Sequence, residues 1–366
     1  MLEDDLVLIT DEHGKVDTIV PVESAGEDIQ VFEGILCPGF INAHCHLELS
    51  HMKGLIPEHT GIVDFVLQIV QQRHFPEDEI LAAIEKAEND MRSAGIVAVG
   101  DICNNTLTLT QKKLNHLRYH NFIEVSGWNP LVAAIRMEKS LEYYHDFKNV
   151  FPHQTSLVPH APYSVSDDLW NLMQPYFANS MLTIHNQESA AENELFKEAS
   201  GDFIRLYETM QISNPGFKAS GINSLAAYFS KMKNGKQVTL VHNNFTSQED
   251  IDVVKQYSTP VTFCLCPNAN LYIENVLPPV DLLLQNQLTI CIGTDSLASN
   301  HQLSIWQEIN TLRTHFPHIS LSVLLQAATL NGARALGLDN MYGSFEKGKK
   351  PGILLIDGSS AIKRLL

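Results

Sequence analysis

The sequence predicts an α/β fold, a (β/α)8 barrel with a small β-sandwich domain formed from both termini. Short apolar runs rich in Val, Ile and Leu alternate with longer amphipathic stretches along most of the chain, as in parallel strands joined by helices. Reactive polar residues follow most of these runs. Doubly wound sheets also alternate strands and helices, but they seldom carry polar residues at so many strand ends. The barrel is therefore favoured.

The eight predicted strands are apolar almost without interruption, as expected for strands covered on both faces. They are residues 40–43, 96–101, 123–127, 156–159, 181–184, 238–241, 261–265 and 289–293. Residues 78–94 have apolar positions at helical spacing and are followed by Gly95, which predicts a helix with a glycine at its C-terminal end. Residues 321–336, before Gly337, have the same pattern. Strands and helices thus alternate as a barrel requires.

The two ends of the chain differ from its middle. Residues 6–10 and 16–20 predict a hairpin, and residues 352–357 predict a further strand. We expect these pieces to pair into one small sheet. The predicted organisation is therefore a small β domain from residues 1–38 and 340–366 around a barrel of residues 39–339. The loop-rich span 200–235 is expected to cover the barrel mouth.

Composition excludes several classes of protein. The chain has 366 residues, of which 44% are hydrophobic and 18% charged, as in ordinary globular proteins. Its net charge of -17 argues against a nucleic-acid partner, because phosphates bind basic surfaces. We find no basic leader and no apolar run long enough to cross a bilayer. A cytoplasmic protein without a membrane partner is expected, and a homodimer is compatible with the sequence.

The six cysteines lie mostly within apolar runs, which predicts reduced residues of the core. Cys264 and Cys266 could form half of a zinc clip, but the chain has no second cysteine pair at suitable spacing. A core strand is the favoured interpretation of this pair.

His44 and His46 follow the first predicted strand. Side chains two residues apart on a strand point the same way, so the two imidazoles could bind one metal ion. The pair alone is weak support, because the chain has 16 histidines and most such residues are satisfied by solvent or backbone. The polar residues at the later strand ends therefore decide the interpretation.

Those later strand ends carry further potential metal ligands. They are His160 after the fourth strand, His185 with Glu188 after the fifth, His242 after the sixth and Asp295 after the eighth. The C-terminal ends of barrel strands share one mouth, where the active site lies. We expect these side chains to meet His44 and His46 there.

At these positions the chain resembles the amidohydrolase superfamily, and within it the deaminases of cytosine, guanine, S-adenosylhomocysteine and aminodeoxyfutalosine. The matching stretches are Pro38-Gly-Phe-Ile-Asn-Ala-His-Cys-His-Leu47, His160-Ala-Pro-Tyr-Ser164, His185-Asn-Gln-Glu188, Val241-His242, Cys266-Pro-Asn-Ala-Asn270, Gly293-Thr-Asp-Ser296 and Ala328-Thr-Leu-Asn-Gly-Ala-Arg-Ala-Leu-Gly337. Together they run across nearly the whole chain.

The resemblance implies that His44, His46, His185 and Asp295 bind one divalent metal ion, usually zinc and sometimes iron. Three neutral imidazoles, one carboxylate and an open position for water are also what a catalytic zinc requires. Members with two metals bridge them through a modified lysine at the end of strand four, but residues 154–162 contain no lysine. A single metal is expected, and its bound water would supply hydroxide near neutral pH.

The resemblance also implies the catalytic roles. Glu188 would take a proton from the attacking water and pass it to a ring nitrogen of the substrate. His242 would hydrogen bond to that water or to the tetrahedral centre, and Asp295 would accept a proton besides binding metal. His160 matches a substrate-contact position. The expected reaction is hydrolysis of a C–NH2 group with release of ammonia.

Further substrate contacts are less determined by the sequence. Arg136 is expected to bind an anionic group if the substrate carries one. Glu48 could face the substrate or support the metal ligands, and the sequence does not choose between these roles. Asn270, Ser299 and Asn300 are expected to hold loops in place.

The predicted function is that of a metal-dependent aminohydrolase acting on a nucleobase, nucleoside or related aminated heterocycle. The alternative is a hydrolase of the same scaffold that cleaves a cyclic C–N bond, an amide or an aryl halide. A distant alternative is an inactive scaffold protein, which should have lost ligands, whereas every predicted position is filled here. The short segment before the metal motif predicts a reduced small domain.

Overall fold

A computed structural model describes residues 5–357 and 362–366. The first four residues of the predicted segment 1–38, and residues 358–361 of the predicted segment 340–366, lie outside the described residues. The strands are β1 (Leu6–Thr10), β2 (Val16–Pro21), β3 (Ile35–Pro38), β4 (Phe40–Cys45), β5 (Ile96–Cys103), β6 (Arg118–Val125), β7 (Thr155–Pro159), β8 (Met181–Asn186), β9 (Gln237–His242), β10 (Val261–Leu265), β11 (Thr289–Ile292), β12 (Ile353–Ile356) and β13 (Ile362–Arg364).

The α-helices connect and flank these strands. They are α1 (Ile62–Gln72), α2 (Glu77–Ser93), α3 (Leu109–Lys113), α4 (Ala133–Val150), α5 (Asp167–Met173), α6 (Ala190–Glu198), α7 (Phe203–Thr209), α8 (Ser224–Tyr228), α9 (Gln248–Val254), α10 (Pro267–Glu274), α11 (Val280–Gln285), α12 (Ile305–His315), α13 (Leu321–Gln326) and α14 (Gly332–Ala335). Several 3-10 turns lie between them.

Strands β4 to β11 form the predicted (β/α)8 barrel. Parallel pairing runs in the order β4, β5, β6, β7 in one half and β8, β9, β10, β11 in the other. The halves join at the mouth, where the His185 amide donates to the His160 carbonyl and the Thr294 and Asp295 amides donate to the His44 carbonyl. The residues that close the barrel are thus those predicted to form the site.

Gly293 allows close packing at one of these junctions, the one between β11 and β4. A Cβ atom at Gly293, just after β11, would lie 2.8 Å from Cβ of His44 and 2.9 Å from its amide nitrogen. Real Cβ atoms do not approach other atoms so closely, so a larger residue would push β11 away from β4. Gly293 therefore lets Asp295 reach the histidine pair.

One strand begins well before its predicted start, whereas the others differ from their predicted bounds by at most a few residues. Residues 123–127 were expected to form the third strand, but β6 begins five residues earlier, at Arg118, and ends at Val125. The start of the strand was not predicted, because the segment around His120 and Asn121 is polar. Both side chains are buried with partners: His120 contacts the Ser156 hydroxyl at 2.9 Å, and Asn121 accepts from Lys112 at 2.9 Å. Paired polar groups can occupy a core strand.

Both helix predictions are confirmed. Helix α2 spans Glu77–Ser93, and Gly95 beyond it has φ of +83°, which suits glycine. Residues 321–335 are helical throughout and Gly337 beyond them has φ of +67°, but a π-helical turn at Ala327–Asn331 lies between α13 and α14. There the side-chain amide of Asn331 donates to the Ile290 carbonyl of β11 at 2.9 Å. A tertiary hydrogen bond accompanies this local change of helix type.

The terminal segments form two small antiparallel sheets rather than the single sheet expected. Strands β1 and β2 form the predicted hairpin, while β12 pairs with β3 and β13. The hairpin joins the C-terminal segment through the backbone instead, because the Val16 amide donates to the Lys349 carbonyl at 2.8 Å. Both ends of the chain therefore build the small β region, as predicted, but β3 and not the hairpin pairs with β12.

The core lies in the barrel and between its strands and helices, and a second apolar cluster includes residues of α7. In this cluster Phe203 stacks on Tyr163 at 4.0 Å and Tyr207 on Trp128 at 5.1 Å between ring centroids. The Tyr163 ring lies 5.8 Å from that of His160, and the expectation that the span 200–235 covers the mouth stays a prediction. All six cysteines are buried free thiols, in agreement with the core prediction. Over the described ranges, no helix has the length and apolarity needed to cross a membrane.

Candidate active site

The strand ends bring the predicted metal ligands together. The Nε2 atom of His46 lies 3.2 Å from Nε2 of His44 and 3.2 Å from Nε2 of His185. Oδ1 of Asp295 lies 3.4 Å from Nε2 of His44 and 3.3 Å from Nε2 of His46. All four side chains are buried. Four donor atoms from β4, β8 and the segment after β11 therefore point at one volume.

The spacing of these donor atoms fits a bound divalent metal ion. Ligand atoms about 2.0–2.1 Å from a tetrahedral zinc ion lie about 3.3–3.4 Å from one another, close to the separations found here. Burial, with the other histidines, holds the pKa of His185 well below its usual value, and burial lowers that of His46 to about 3. Neutral imidazoles are the form that binds metal.

Asp295 supplies the one carboxylate of this donor set. Burial raises its pKa, but a hydrogen bond with His44 and the interactions with the other imidazoles bring the pKa well below its usual value. The Ser299 hydroxyl donates to the second carboxylate oxygen, Oδ2. The backbone at Asp295 has φ of +57°, an uncommon conformation outside glycine that concentrates at functional sites. Ser299 holds this carboxylate, in line with its expected loop-fixing role.

His242 lies at the end of β9 with its ring beside the four donors. Its donor atom and those of His44, His185 and Asp295 all lie within 4.8 Å of one another. Nδ1 of His242 contacts Oδ1 of Asn270 at 2.7 Å, so the neutral ring presents Nε2 as an acceptor toward the mouth. Its backbone φ is +74°. Asn270 thus fixes the orientation of the His242 imidazole.

Glu188 lies on the other side of His242. Its Oε1 atom is 3.7 Å from Nε2 of His242, and the side chain is buried. Burial raises the pKa of Glu188 well above its usual value, and the charges of Asp295 and Glu274 raise it further. A carboxyl group with a raised pKa can both accept and return a proton near neutral pH.

His160 is beside His185, where the fourth and fifth barrel strands meet. Its carbonyl accepts from Nδ1 of His185 at 2.8 Å, which directs the Nε2 atom of His185 toward the other donors. Its own Nδ1 contacts the Ser164 hydroxyl at 2.8 Å, and burial lowers its pKa to about 4. The half-buried His160 ring therefore lies at the mouth as a neutral group.

Two carboxylates and an amide line the wall next to His185. Glu124, at the end of β6, has Oε1 3.5 Å from Nδ1 of His185 and accepts from Nδ2 of Asn104 at 2.9 Å. Glu48 accepts from the Asn104 amide nitrogen at 3.0 Å. Burial raises the pKa of both Glu48 and Glu124 to about 7. Glu124 was not predicted, although an acid in the apolar run Phe122-Ile-Glu-Val125 could have indicated it.

Arg136 does not join this group. It is exposed in the first turn of α4, and its aliphatic stem packs near Gly127. Among the described residues, Arg136 has no contact with the site histidines or with Glu188. Its role toward an anionic substrate group remains a prediction.

A buried ion pair that the sequence did not reveal supports the histidine pair. Asp101 of β5 accepts from the Leu47 amide at 2.8 Å, directly after His46, and pairs with Lys112 of α3. Lys112 also donates to Asn121 at 2.9 Å, and it is fully buried. Lys112 thus neutralises the carboxylate that fixes the turn after the His-x-His motif.

Replacing Lys112 by Met is expected to lower the free energy of unfolding by about 3–5 kcal/mol, because the charge of Asp101 would remain buried without its partner. Urea denaturation followed by circular dichroism measures this loss. The exposed neighbour Lys113, replaced by Met, is the control and should change stability by less than about 0.5 kcal/mol. Equal stability of the two variants would contradict the structural role of the pair.

The fold and the donor set define a metal-dependent (β/α)8 hydrolase barrel. The model of the Amidohydrolase family matches residues 35–365, so the chain belongs to the amidohydrolase family, and the predicted resemblance is confirmed. The chain is 25% identical over 351 residues to a 5-methylthioadenosine/S-adenosylhomocysteine deaminase of Saccharophagus degradans, covering 91% of this chain and 73% of the relative.

Solved structures agree with the barrel. The structure of Helicobacter pylori aminofutalosine deaminase in complex with methylthio-coformycin superposes with a TM-score of 0.81 at 23% identity, covering 96% of this chain and 87% of the other. An adenosine deaminase from Xanthomonas campestris with bound zinc gives a TM-score of 0.71 at 19% identity, covering 95% and 79% of the two chains. These likenesses confirm the predicted fold class.

Proposed function

We propose that the chain is a metal-dependent aminohydrolase that deaminates a nucleobase, nucleoside or related aminated heterocycle, with 6-aminopurine nucleosides as the first candidates. The observation that carries the proposal is the buried Glu188 beside His242, next to the converging donor atoms of the three other histidines and Asp295. Relatives named as deaminases of adenosine-type compounds support the choice of substrate. The substrate that we propose is accordingly a small molecule.

His44, His46, His185 and Asp295 would hold the metal ion, for which we propose zinc. Three imidazoles and a carboxylate suit zinc, although iron accepts the same ligands. The zinc-containing neighbour from Xanthomonas campestris supports this choice. When bound, such an ion lowers the pKa of a coordinated water to about 7, so that a nucleophile exists at neutral pH.

Glu188 would carry the proton from the attacking water to the substrate. Water adds through its oxygen to the amino-bearing carbon, one proton goes through Glu188 to the ring nitrogen, and the C–N bond then breaks. The remaining hydroxyl proton leaves with the amino group as ammonia, and a carbonyl remains. The raised pKa of Glu188 suits it to both proton transfers.

His242 would orient the reacting water and the tetrahedral carbon centre. Asn270 fixes Nδ1 of the ring, so Nε2 faces Glu188 across 3.7 Å. A group placed between them can hydrogen bond to both side chains. Asp295 would receive a proton on the opposite side, where Ser299 holds its second oxygen.

We propose three substrate contacts, for which the structural support differs. They are His160, Glu48 and Arg136. His160 lies half-buried at the mouth beside His185, in reach of a ring bound there. The position of Glu48 next to Asn104 and Glu124 supports a wall of hydrogen-bond acceptors. Arg136 is exposed, so it would contact only a substituent that extends out of the mouth.

Replacing Ser299 by Ala is expected to weaken metal affinity by about 10–100-fold, because the partner of a ligating carboxylate orients it. Competition with a chelator measures the affinity, and the folded state is checked by circular dichroism. Ser93, whose hydroxyl bonds only to its own helix on the surface, gives the matched control when replaced by Ala. Unchanged affinity in the Ser299 variant would argue against Asp295 as a ligand.

Ammonia release from the metal-loaded protein tests the proposed function. The substrates are adenosine, 5-methylthioadenosine, S-adenosylhomocysteine, aminodeoxyfutalosine, guanine and cytosine, with chelated protein as control. We expect turnover of at least one compound, with one carbonyl product formed for each ammonia released.

Two outcomes would overturn the proposal. Hydrolysis only of cyclic C–N bonds, amides or aryl halides would replace deamination by the alternative chemistry of this scaffold. Absence of stable metal binding, together with no turnover of any substrate class, would favour an inactive scaffold protein.

A further inference from the structure

The segment that carries Glu188 leaves β8 in an uncommon backbone conformation. Gln187, between the end of β8 and Glu188, has φ of +46°, and His242 at the end of β9 has φ of +74°. Such conformations are unfavourable in residues other than glycine and persist only where the surrounding structure holds them. The position of Glu188 opposite His242 therefore depends on the groups that hold Gln187.

Hydrogen bonds hold the backbone on both sides of Glu188. The Gln187 amide donates to Oε1 of Glu192 at 3.0 Å, and the Gln187 carbonyl accepts from the Phe245 amide at 3.2 Å. The Glu188 carbonyl accepts from Nδ2 of Asn244 at 2.9 Å. Because Asn244 and Phe245 belong to the turn after β9, these bonds tie the two segments of the proposed proton-transfer pair together.

The side chain of Gln187 is fixed as well. Its Nε2 atom donates to Oδ2 of Asp250 in α9 at 2.9 Å and to Oδ1 of Asn193 in α6 at 3.1 Å. Its Oε1 atom accepts from the Thr246 hydroxyl at 2.7 Å. The side chain is fully buried, and both of its N–H groups and its oxygen have partners. Gln187 thus cannot change conformation without breaking several hydrogen bonds.

Glu192 has a different partner from the one that its sequence spacing suggests. Ser189 is the N-cap of α6 and Glu192 stands three residues later, which is the spacing of a capping box. In a capping box the glutamate accepts from the amide of the N-cap residue, whereas Glu192 accepts from the amide of Gln187, two residues earlier. The Ser224 hydroxyl of α8 donates to the same carboxyl oxygen. Glu192 is therefore directed at the backbone next to Glu188.

We propose that Glu192 is a positioning residue that holds the Glu188 carboxyl opposite His242 through the backbone amide of Gln187. The inference rests on the proposed function, because the effect of Glu192 is exerted only on the group that transfers the proton. Removal of the Glu192 carboxyl would let Gln187 relax from its uncommon conformation. A shift of about 1 Å in a reacting group is enough to lower the rate about 100-fold.

Steady-state ammonia release by metal-loaded Glu192→Ala tests the proposal. We expect kcat to fall by about 10–100-fold while KM changes by less than about threefold, because the metal ligands and the substrate contacts stay in place. Glu194→Ala is the matched control, since Glu194 is exposed on the same helix. It should have the kcat and KM of the unchanged protein.

Glu192→Gln should recover most of the activity lost in Glu192→Ala. The carboxamide oxygen can accept the same two hydrogen bonds from Gln187 and Ser224. Burial raises the pKa of Glu192 to about 8, so the acid is mostly protonated at neutral pH and the carboxamide resembles it. Failure of the Gln variant to exceed the Ala variant in kcat would contradict a role through these hydrogen bonds.

A double variant separates positioning of Glu188 from a general loss of structure. In a protein that already carries Glu188→Gln, the change Glu192→Ala should lower the residual kcat by less than about twofold, because the group that Glu192 positions is already inactive. Ammonia accumulated over hours at high protein concentration measures this residual rate. Metal content and circular dichroism of every variant confirm that equal amounts of folded, metal-loaded protein are compared.

Two results would overturn the inference and leave the proposed function intact. They are an unchanged kcat in Glu192→Ala, with or without a rise in KM, and an equal loss of kcat with and without the Glu188 carboxyl. Absence of turnover by the unchanged metal-loaded protein would instead overturn the proposed function, and the inference with it.

Thr246→Val replaces Glu192→Ala if that variant folds poorly. It removes one hydrogen bond to Gln187 and keeps the shape of the side chain. The expected fall in kcat is about 3–10-fold, in line with the loss of one hydrogen bond. An unchanged kcat in this folded variant would likewise overturn the inference.

Discussion

Replacing Glu188 by Gln is expected to lower kcat for deamination by about two to four orders of magnitude, the range that proton-transfer groups contribute. The amide has the shape of the carboxyl group but cannot accept a proton from water and return it to the substrate. Glu188 is buried beside His242, where it can reach a group bound next to that ring. Initial rates of ammonia release measure the effect.

The metal content of the Glu188 variant must equal that of the unchanged protein, because Glu188 is not among the four converging donors. Glu198→Gln is the matched control, since Glu198 is exposed at the end of α6 on the same segment. It should retain full activity. Comparable turnover by the Glu188 variant and the unchanged protein would refute the proton-transfer role.

Replacing Asp295 by Asn is expected to weaken metal affinity by more than about 100-fold. This exceeds the loss expected from changing a residue that only hydrogen bonds to a metal ligand. Among the described residues, Asp295 is the only one with a carboxylate oxygen within 3.4 Å of the His44 and His46 nitrogens, and a neutral amide oxygen binds the ion far less strongly. Turnover should be lost together with the metal. Elemental analysis after dialysis, alongside the ammonia assay, measures both.

A control for this substitution is Asp252→Asn, because Asp252 is exposed on α9, where it accepts from Gln248. It should keep about one metal ion per chain. Full metal content in the Asp295 variant would show that His242 or another group replaces the carboxylate, since the His242 donor atom also lies within 4.8 Å of the others.

The sequence predicted the barrel and the convergence of its ligands because both follow from local patterns. Apolar runs mark the strands, and residues such as His44 and His185 mark their C-terminal ends, which meet at one mouth in this fold. The distances between those residues follow from strand pairing, and Gly293 allows the end of β11 to lie close to His44. Only the roles of the residues depend on the family resemblance.

Other features could not be predicted, because they depend on partners distant in the chain. Lys112 and Asp101 are eleven positions apart and pair only once α3 packs against β5. The polar start of β6 has the composition of a loop until His120 and Asn121 find partners in the core. Likewise β3, too short to indicate a strand alone, forms by pairing with β12.

The location of Arg136 could not be predicted from its charge. Its charge suggested a substrate contact, but charge alone does not determine on which side of a helix a residue lies. In the structure it is exposed on α4, whereas Glu124, which was not predicted, lies 3.5 Å from His185. The mouth therefore offers more acceptors than the sequence indicated.

The most direct test of a mononuclear metal-dependent deaminase is a titration of zinc into the chelated protein with ammonia release as the readout. Turnover should be absent without metal, rise in proportion to added zinc and reach its maximum at one ion per chain. Full turnover of the metal-free protein, or a maximum reached only at two ions per chain, would contradict the account.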